Sequence, residues 1–193
     1  MKYLSQQDKL SFIFDVLDSD LINKAVVLNE SLTGENYDLR YYSSIYLSAM
    51  SNELEGSVFK LKREYELTKE YEVLKELLNV LKRYIDTGLL ESDMLQFYNN
   101  LYINFLEDRI EMDDTNNDYK FELIRSKLMS HQYEDTLELI NEMDQSLYEV
   151  NMLKFELLYT MKEYKPAKQL ANLILKNYEN IPINDLGILN YWR

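Results

Sequence analysis

Residues that form tight turns are scarce in this chain: only four glycines and two prolines occur among its 193 residues. A sheet protein of this length needs a tight turn between most neighbouring strands, and glycine commonly supplies it. Apolar residues instead recur at helical spacing, as in the stripe Leu74, Leu77, Leu78, Leu81 and Ile85. The sequence therefore predicts an all-α fold.

The same periodicity predicts a succession of helices with short breaks between them. The helices are expected at residues 6–17, 19–31, 38–54, 57–67, 69–87, 91–111, 118–130, 134–145, 148–162, 165–178 and 184–192. The breaks are expected at Gly34, Glu55-Gly56, Thr87-Gly88, the polar run Asp113–Asp118 and Ile181-Pro182. No segment rich in glycine, serine or proline marks a linker. We therefore expect one helical domain over residues 1–193, with an N-terminal part (1–112), C-terminal hairpins (118–193) and its weakest seam at Asp113–Asp118.

Composition excludes several classes of protein. The chain has no cysteine, which removes disulfides, thiolate nucleophiles and cysteine-type zinc sites. Its first residues lack the apolar core of a signal peptide, and no stretch approaches the roughly 18 apolar residues of a membrane span. The formal net charge of -13 argues against direct binding of nucleic acid or of an anionic membrane. A cytoplasmic protein is expected.

The C-terminal part contains an internal repeat, in which residues 119–146 align without gaps with residues 150–177. The matched pairs are Phe121 with Met152, Ile124 with Phe155, Leu128 with Tyr159, Tyr133 with Tyr164, Thr136 with Ala167, Leu139 with Leu170, Asn141 with Asn172, and Met143 with Ile174. Each copy has the pattern of a helical hairpin. Such a hairpin stacks on its neighbours because it cannot bury its apolar face alone.

The second copy resembles the tetratricopeptide repeat family. Its segment Glu163-Tyr164-Lys165-Pro166-Ala167 looks like that family's tyrosine-to-alanine step, Ala171 adds a small packing residue, and Pro182 follows the second helix. The period falls short of the family's roughly 34 residues, and the first helices lack its tryptophan, leucine-glycine and tyrosine pattern. The resemblance implies a short right-handed solenoid of stacked antiparallel hairpins, whose groove, lined by the first helix of each hairpin, holds a peptide or a partner helix.

Residues able to carry catalysis or bind a cofactor are few. His131 is the only histidine, and its place in a turn explains it as a polar loop residue. No glycine-rich phosphate loop occurs. A calcium-binding loop starting at Asp114 fails, because Tyr119 stands where glycine is needed and Arg125 where a bidentate glutamate belongs. This loop is expected to be a solvated turn in which Asp118 caps the next helix. We expect no enzyme, no cofactor and no metal site.

Charge and tyrosine distribution indicate the candidate working surfaces. Residues 107–149 carry thirteen acids against four bases, and such a concentration of one charge sign attracts a basic partner. The acidic residues assigned to a candidate partner-binding face are Glu107, Asp108, Glu111, Asp113, Asp114, Asp118, Glu134, Asp135, Glu138 and Glu142. Among seventeen tyrosines, the candidate aromatic contacts are Tyr41, Tyr42, Tyr98 and Tyr102. Ordinary solubilising charge and core packing are the alternatives for these two groups.

The leading hypothesis is a non-catalytic protein-protein interaction module, acting as an adaptor, a chaperone or a regulatory peptide-binding protein through its groove or its acidic face. The alternative is an acidic inhibitor that imitates nucleic acid and occupies a basic site on an enzyme. The composition resembles Gram-positive bacterial or phage proteins. The crowded apolar residues Ile188, Leu189, Tyr191 and Trp192 indicate that the last helix folds back onto the preceding hairpin, pairs with another chain as in a homo-oligomer, or continues into a longer protein.

Overall fold

The computed structural model describes residues 20–192. In this part of the chain nine α-helices follow one another and no strand occurs, which confirms the all-α prediction. The helices are α1 (Leu21–Leu32), α2 (Tyr37–Thr68), α3 (Tyr71–Asp86), α4 (Ser92–Met112), α5 (Asn117–Met129), α6 (Tyr133–Glu142), α7 (Tyr148–Thr160), α8 (Tyr164–Asn177) and α9 (Ile183–Tyr191). The helix expected at residues 6–17 lies outside the described residues.

The chain divides into two compact units, and the boundary falls between Asp113 and Asp114. The N-terminal unit contains α1–α4 and the C-terminal unit contains α5–α9. In the segment after the boundary, Asn116 rather than Asp118 caps α5, because the Asn116 side chain accepts a hydrogen bond of 2.9 Å from the backbone N–H of Asp118. The predicted role of Asp118 as the cap is therefore wrong.

Helix α2 corrects the prediction of a break at Glu55-Gly56. The helices expected at 38–54 and 57–67 are one helix of 32 residues, and Gly56 lies within it. The buried residues Leu54, Val58 and Leu61 continue the apolar stripe past the glycine. Burial of such side chains contributes roughly 1.5–3 kcal/mol each, more than the roughly 1 kcal/mol that a glycine costs in a helix interior. The predicted breaks at Gly34, Thr87-Gly88, Asp113–Asp118 and Ile181-Pro182 are confirmed.

Tyrosines connect the helices of the N-terminal unit through both ring packing and hydroxyl groups. The buried Tyr98 of α4 packs against Tyr84 of α3 with 4.8 Å between ring centroids, and its hydroxyl donates to Glu55 Oε1 of α2 at 3.1 Å. Tyr65 of α2 donates to Asp108 Oδ2 of α4 at 3.2 Å. A buried phenol normally finds such a partner, since an unmatched hydroxyl would cost free energy. These rings therefore belong to the core of the unit.

The C-terminal unit repeats one turn geometry between paired helices. His131, between α5 and α6, has φ 59°, and Lys162, between α7 and α8, has φ 62°. The backbone N–H that follows each residue donates back to a carbonyl of the preceding helix: Gln132 to Lys127 at 3.0 Å, and Glu163 to Leu158 at 2.8 Å. A helix commonly ends in this way, with a residue in the left-handed conformation followed by an N–H that donates back to a carbonyl of the helix. The two turns occupy equivalent positions of the aligned copies, so the backbone carries the internal repeat seen in the sequence.

Two hydrophobic clusters hold the C-terminal unit together. The first joins α5, α6 and α7 around the buried Ile124, Ile140 and Leu157. The second joins α7, α8 and α9, where Phe155 and Leu189 pack with the small residues Ala167 and Ala171. Leu189 thereby folds α9 back onto α8, as one of the alternatives for the last helix predicts. Helix α7 contributes to both clusters and is the central helix of the unit.

Candidate binding groove

An open groove of about 1160 Å³ crosses the C-terminal unit. Its walls come from α5, α7 and the α9 segment ending at Trp192, whereas α6 and α8 contribute no lining residue. Helices α5 and α7 each begin a hairpin, with α6 and α8 as the second helices, and α9 follows the second hairpin. Alternate helices of the chain therefore share this surface.

Helices α7 and α9 run in the same direction along the groove. Near the start of both, the Tyr148 hydroxyl donates to Asp185 Oδ2 at 2.8 Å. Near the end of both, the rings of Tyr159 and Trp192 meet with 5.5 Å between centroids. Residues at matching positions of the two helices therefore lie side by side across the groove.

Nine of the sixteen lining residues form three rows, because each helix contributes three of them at the same spacing of three and then four positions. The first row is Asp118, Glu149 and Asp185; the second is Phe121, Met152 and Ile188; the third is Arg125, Glu156 and Trp192. The step from α5 to α7 equals the offset of the internal repeat, and the step from α7 to α9 is slightly longer. The groove thus has an acidic row, an apolar row and a mixed row that ends in an aromatic ring.

Internal bonds occupy some of the charged groups that line the groove. Arg125 Nη1 lies 3.5 Å from Glu122 Oε1, one turn before it on α5. Asp185 accepts a hydrogen bond from the Tyr148 hydroxyl. Burial of Tyr148 raises the pKa of its hydroxyl above the ordinary value, and this hydrogen bond and the carboxylate charge raise it further. Within residues 20–192, no lysine or arginine forms an ion pair with Glu149 or Glu156. Both of these side chains are exposed, so their negative charge faces the groove.

Aromatic rings form a corner at one end of the groove. Trp192 lies at the centre of this aromatic corner, where Tyr159 and Tyr191 approach it at 73° and 78°. Tyr164 stacks on Trp192 at 18° with 5.6 Å between centroids. Tyr159 is half exposed and Tyr191 largely exposed, so their surfaces remain accessible from the groove. Glu156 lies one turn before Tyr159 on the same face of α7.

The residues predicted to form one acidic face are divided between the two units. Glu107, Asp108, Glu111 and Asp113 belong to α4 and its end, while the other six belong to the C-terminal unit. Several carboxylates have intramolecular partners: Asp108 accepts from Tyr65, Asp113 lies 3.4 Å from the buried Arg109, Asp135 lies 3.7 Å from Lys127, and Asp114 pairs with Lys120. On α6, Glu134, Glu138 and Glu142 remain exposed on one face, outside the groove. Asp118 is the only one of the ten that lines the groove.

The four predicted aromatic contacts separate into two kinds. Tyr41 and Tyr42 are exposed on α2 and meet edge to face with 5.7 Å between centroids. Tyr98 and Tyr102 are buried in the N-terminal unit. The prediction that Tyr98 and Tyr102 contact a partner is therefore wrong, because a buried ring cannot touch a partner of the folded chain. The spacing that suggested an aromatic stripe on α4 marks its core face instead.

His131 occupies the left-handed turn between α5 and α6. Its Nδ1 lies 2.7 Å from the Tyr133 hydroxyl, and the two rings pack edge to face. Within residues 20–192, no group of three or more histidine or acidic side chains is placed to hold a metal ion.

None of the described helices is long and apolar enough to cross a membrane.

Sequence reasoning missed most of the groove residues, among them Tyr148, Glu156, Tyr159 and Ile188. A signal for them exists in α7. Besides the core stripe Val150, Leu153 and Leu157, this helix carries a second apolar set that includes Met152 and Phe155. A helix with one buried face needs only one stripe. The second set indicates that α7 contacts more than one surface.

Comparison of the sequence with protein families and curated proteins, and of the fold with solved structures, finds no match.

Proposed function

We propose that this chain is a non-catalytic protein-interaction module that holds a segment of another protein in the groove of its C-terminal unit. The observation that carries the proposal is the groove itself, in which the apolar residues Phe121, Met152 and Ile188 are flanked by charged side chains. Binding surfaces commonly combine an apolar centre with a polar rim. The proposal includes a tetratricopeptide-like arrangement, because α5 and α7 are the first helices of consecutive hairpins and α9 follows at the position where the next first helix would lie.

The size and openness of the groove favour a peptide segment over a small metabolite. Small-molecule sites are usually enclosed clefts of roughly 300–1,000 Å³. The groove here is larger, at about 1160 Å³, and crosses three helices. Three helices side by side offer successive side-chain positions to an elongated ligand, as in other modes of peptide recognition.

The nucleic-acid mimic has no comparable support. Such an inhibitor needs carboxylates spaced like phosphates along one continuous face. Asp108, Asp113 and Asp135, three of the predicted acidic set, instead have partners within the chain. No observation in the described residues favours this alternative over the groove.

Selection of random peptides on the full chain, followed by fluorescence anisotropy, tests the proposal. Ile188→Gln removes an apolar side chain from the groove, and Leu173→Gln on α8 is the matched control, since the two residues are 50% and 54% exposed. Loss of the apolar contact should weaken binding of the selected peptides by about tenfold, because burying such a side chain contributes roughly 1–2 kcal/mol to the binding free energy. Leu173→Gln should leave the affinity unchanged. Equal affinities for the wild type and Ile188→Gln would refute groove binding.

A further inference from the structure

We infer that the segment held in the groove is cationic, with a lysine or arginine side chain in the aromatic corner beside Glu156 and an apolar side chain on the row of Phe121, Met152 and Ile188. This inference rests on the proposed function and specifies the chemistry of the partner. It follows from the charges of the lining residues and from the geometry of the rings.

Charge complementarity is the first argument. Five carboxylates and one guanidinium line the groove: Asp118, Glu122, Glu149, Glu156 and Asp185, against Arg125. The guanidinium is already paired with Glu122 at 3.5 Å. An acidic segment would therefore meet unbalanced repulsion. A cationic segment would instead supply positive charge to Glu149 and Glu156, which pair with no lysine or arginine of residues 20–192.

The geometry of the aromatic corner is the second argument. Tyr159 and Tyr191 stand nearly perpendicular to Trp192, so rings face the corner from more than one direction. Lysine and arginine are attracted to the faces of such rings within about 6 Å of the centroid. Tyr164 covers one face of Trp192, so the exposed Tyr159 and Tyr191 supply much of the accessible ring surface. Glu156, on the same face of α7 as Tyr159, adds a carboxylate to this site. Rings and carboxylate together favour a cation over a neutral apolar side chain.

The chain itself does not supply that cation within the part that the structure describes. The cation–ring contacts found there are Lys69 over Tyr65 and Arg109 over Tyr71, at 4.5 and 4.2 Å. Both lie in the N-terminal unit. The rings of the corner contact one another, and no lysine or arginine of residues 20–192 lies over them. A cation from a partner can therefore approach them without displacing a lysine or arginine of the described residues.

The test uses the full chain and peptides selected from a random library, so that the selection does not presuppose charge. Each selected peptide is synthesised again with acetyl-lysine for lysine and citrulline for arginine, which remove the charge and keep much of the shape. Glu156→Gln neutralises the carboxylate of the corner. Glu138→Gln neutralises an exposed glutamate of α6 outside the groove and is the matched control.

We expect lysine or arginine in the selected peptides, with a roughly tenfold loss of affinity when the critical cation is neutralised. Glu156→Gln should weaken the unmodified peptide several-fold and affect the neutralised peptide far less, whereas Glu138→Gln should affect neither. Selected peptides that contain no lysine or arginine, but whose affinity falls with Ile188→Gln, would overturn the cationic inference and leave the proposed function intact. Peptides whose binding ignores Ile188→Gln would instead overturn the proposed function.

Discussion

Replacing Gly56 by alanine should stabilise the protein. Gly56 lies within the 32-residue helix α2, is exposed and does not have the positive φ that would favour glycine. Glycine in a helix interior costs free energy because its unfolded backbone has more freedom to lose. Alanine should therefore favour the folded state if α2 is continuous through this position.

The magnitude depends on the surroundings of the missing methyl group. A Cβ atom built at Gly56 meets no heavy atom within 4 Å, so the substitution adds neither a clash nor a packing contact. Only the helix propensity changes, by roughly 0.5–1 kcal/mol in favour of alanine. For a chain of this length that corresponds to a rise in Tm of roughly 1–4 °C.

Thermal and urea unfolding followed by circular dichroism at 222 nm would measure this difference. Gly88→Ala is the matched control, because a Cβ there also meets nothing within 4 Å but the backbone has φ +67°. A left-handed backbone penalises alanine by roughly 1–2 kcal/mol, so this variant should lose stability. A lower Tm for Gly56→Ala would show that the helix does not continue through residue 56, and would refute the reasoning.

Two further predictions concern a turn and a buried phenol. Lys162→Gly should raise the free energy of unfolding by roughly 1 kcal/mol, because φ is 62° at this position. The control Lys168→Gly, inside α8, should lower the free energy of unfolding by a similar amount. Urea unfolding of both variants measures the two differences. Burial and the nearby Glu55 carboxylate raise the pKa of Tyr98, so the folded state keeps a proton that the unfolded state releases near its ordinary pKa of about 10. The resulting stability is present below about pH 10 and is lost as the pH rises above it. Tyr98→Phe should therefore show a shallower alkaline loss of stability in urea titrations between about pH 9 and 11, and an unchanged slope would contradict the assignment.

Much of the fold could be predicted from the sequence, because the local pattern and the final structure agree. Few glycines and a persistent helical period predict helices, and the internal repeat locates the two turns at His131 and Lys162. The break at Gly56 could not be decided in this way. A glycine weakens a helix only slightly, and the burial of Leu54 and Val58 on either side depends on neighbouring helices that the local pattern does not include.

The candidate site was harder to predict, because it combines residues that are distant in sequence. Acids of the same acidic stretch of the sequence, such as Asp114 and Glu142, fall on different elements of the C-terminal unit and outside the groove. The groove instead collects one face from each of three alternate helices, from Asp118 to Trp192. Only the relative rotation of the packed helices selects that face. Likewise, spacing alone could not distinguish the exposed Tyr41 from the buried Tyr98.

The regular rows of the groove have a consequence for how such a protein can change in length. Its row positions recur from α5 to α7 and again from α7 to α9, with one helical hairpin in each interval. Duplicating a complete hairpin would add one residue to every row and lengthen the surface by about one helix diameter, roughly 10 Å. An insertion of a few residues within a helix would instead rotate the later part of that helix and move its side chains out of the rows. The hairpin is therefore the module by which engineering, or gene duplication, could match this surface to a longer or shorter segment.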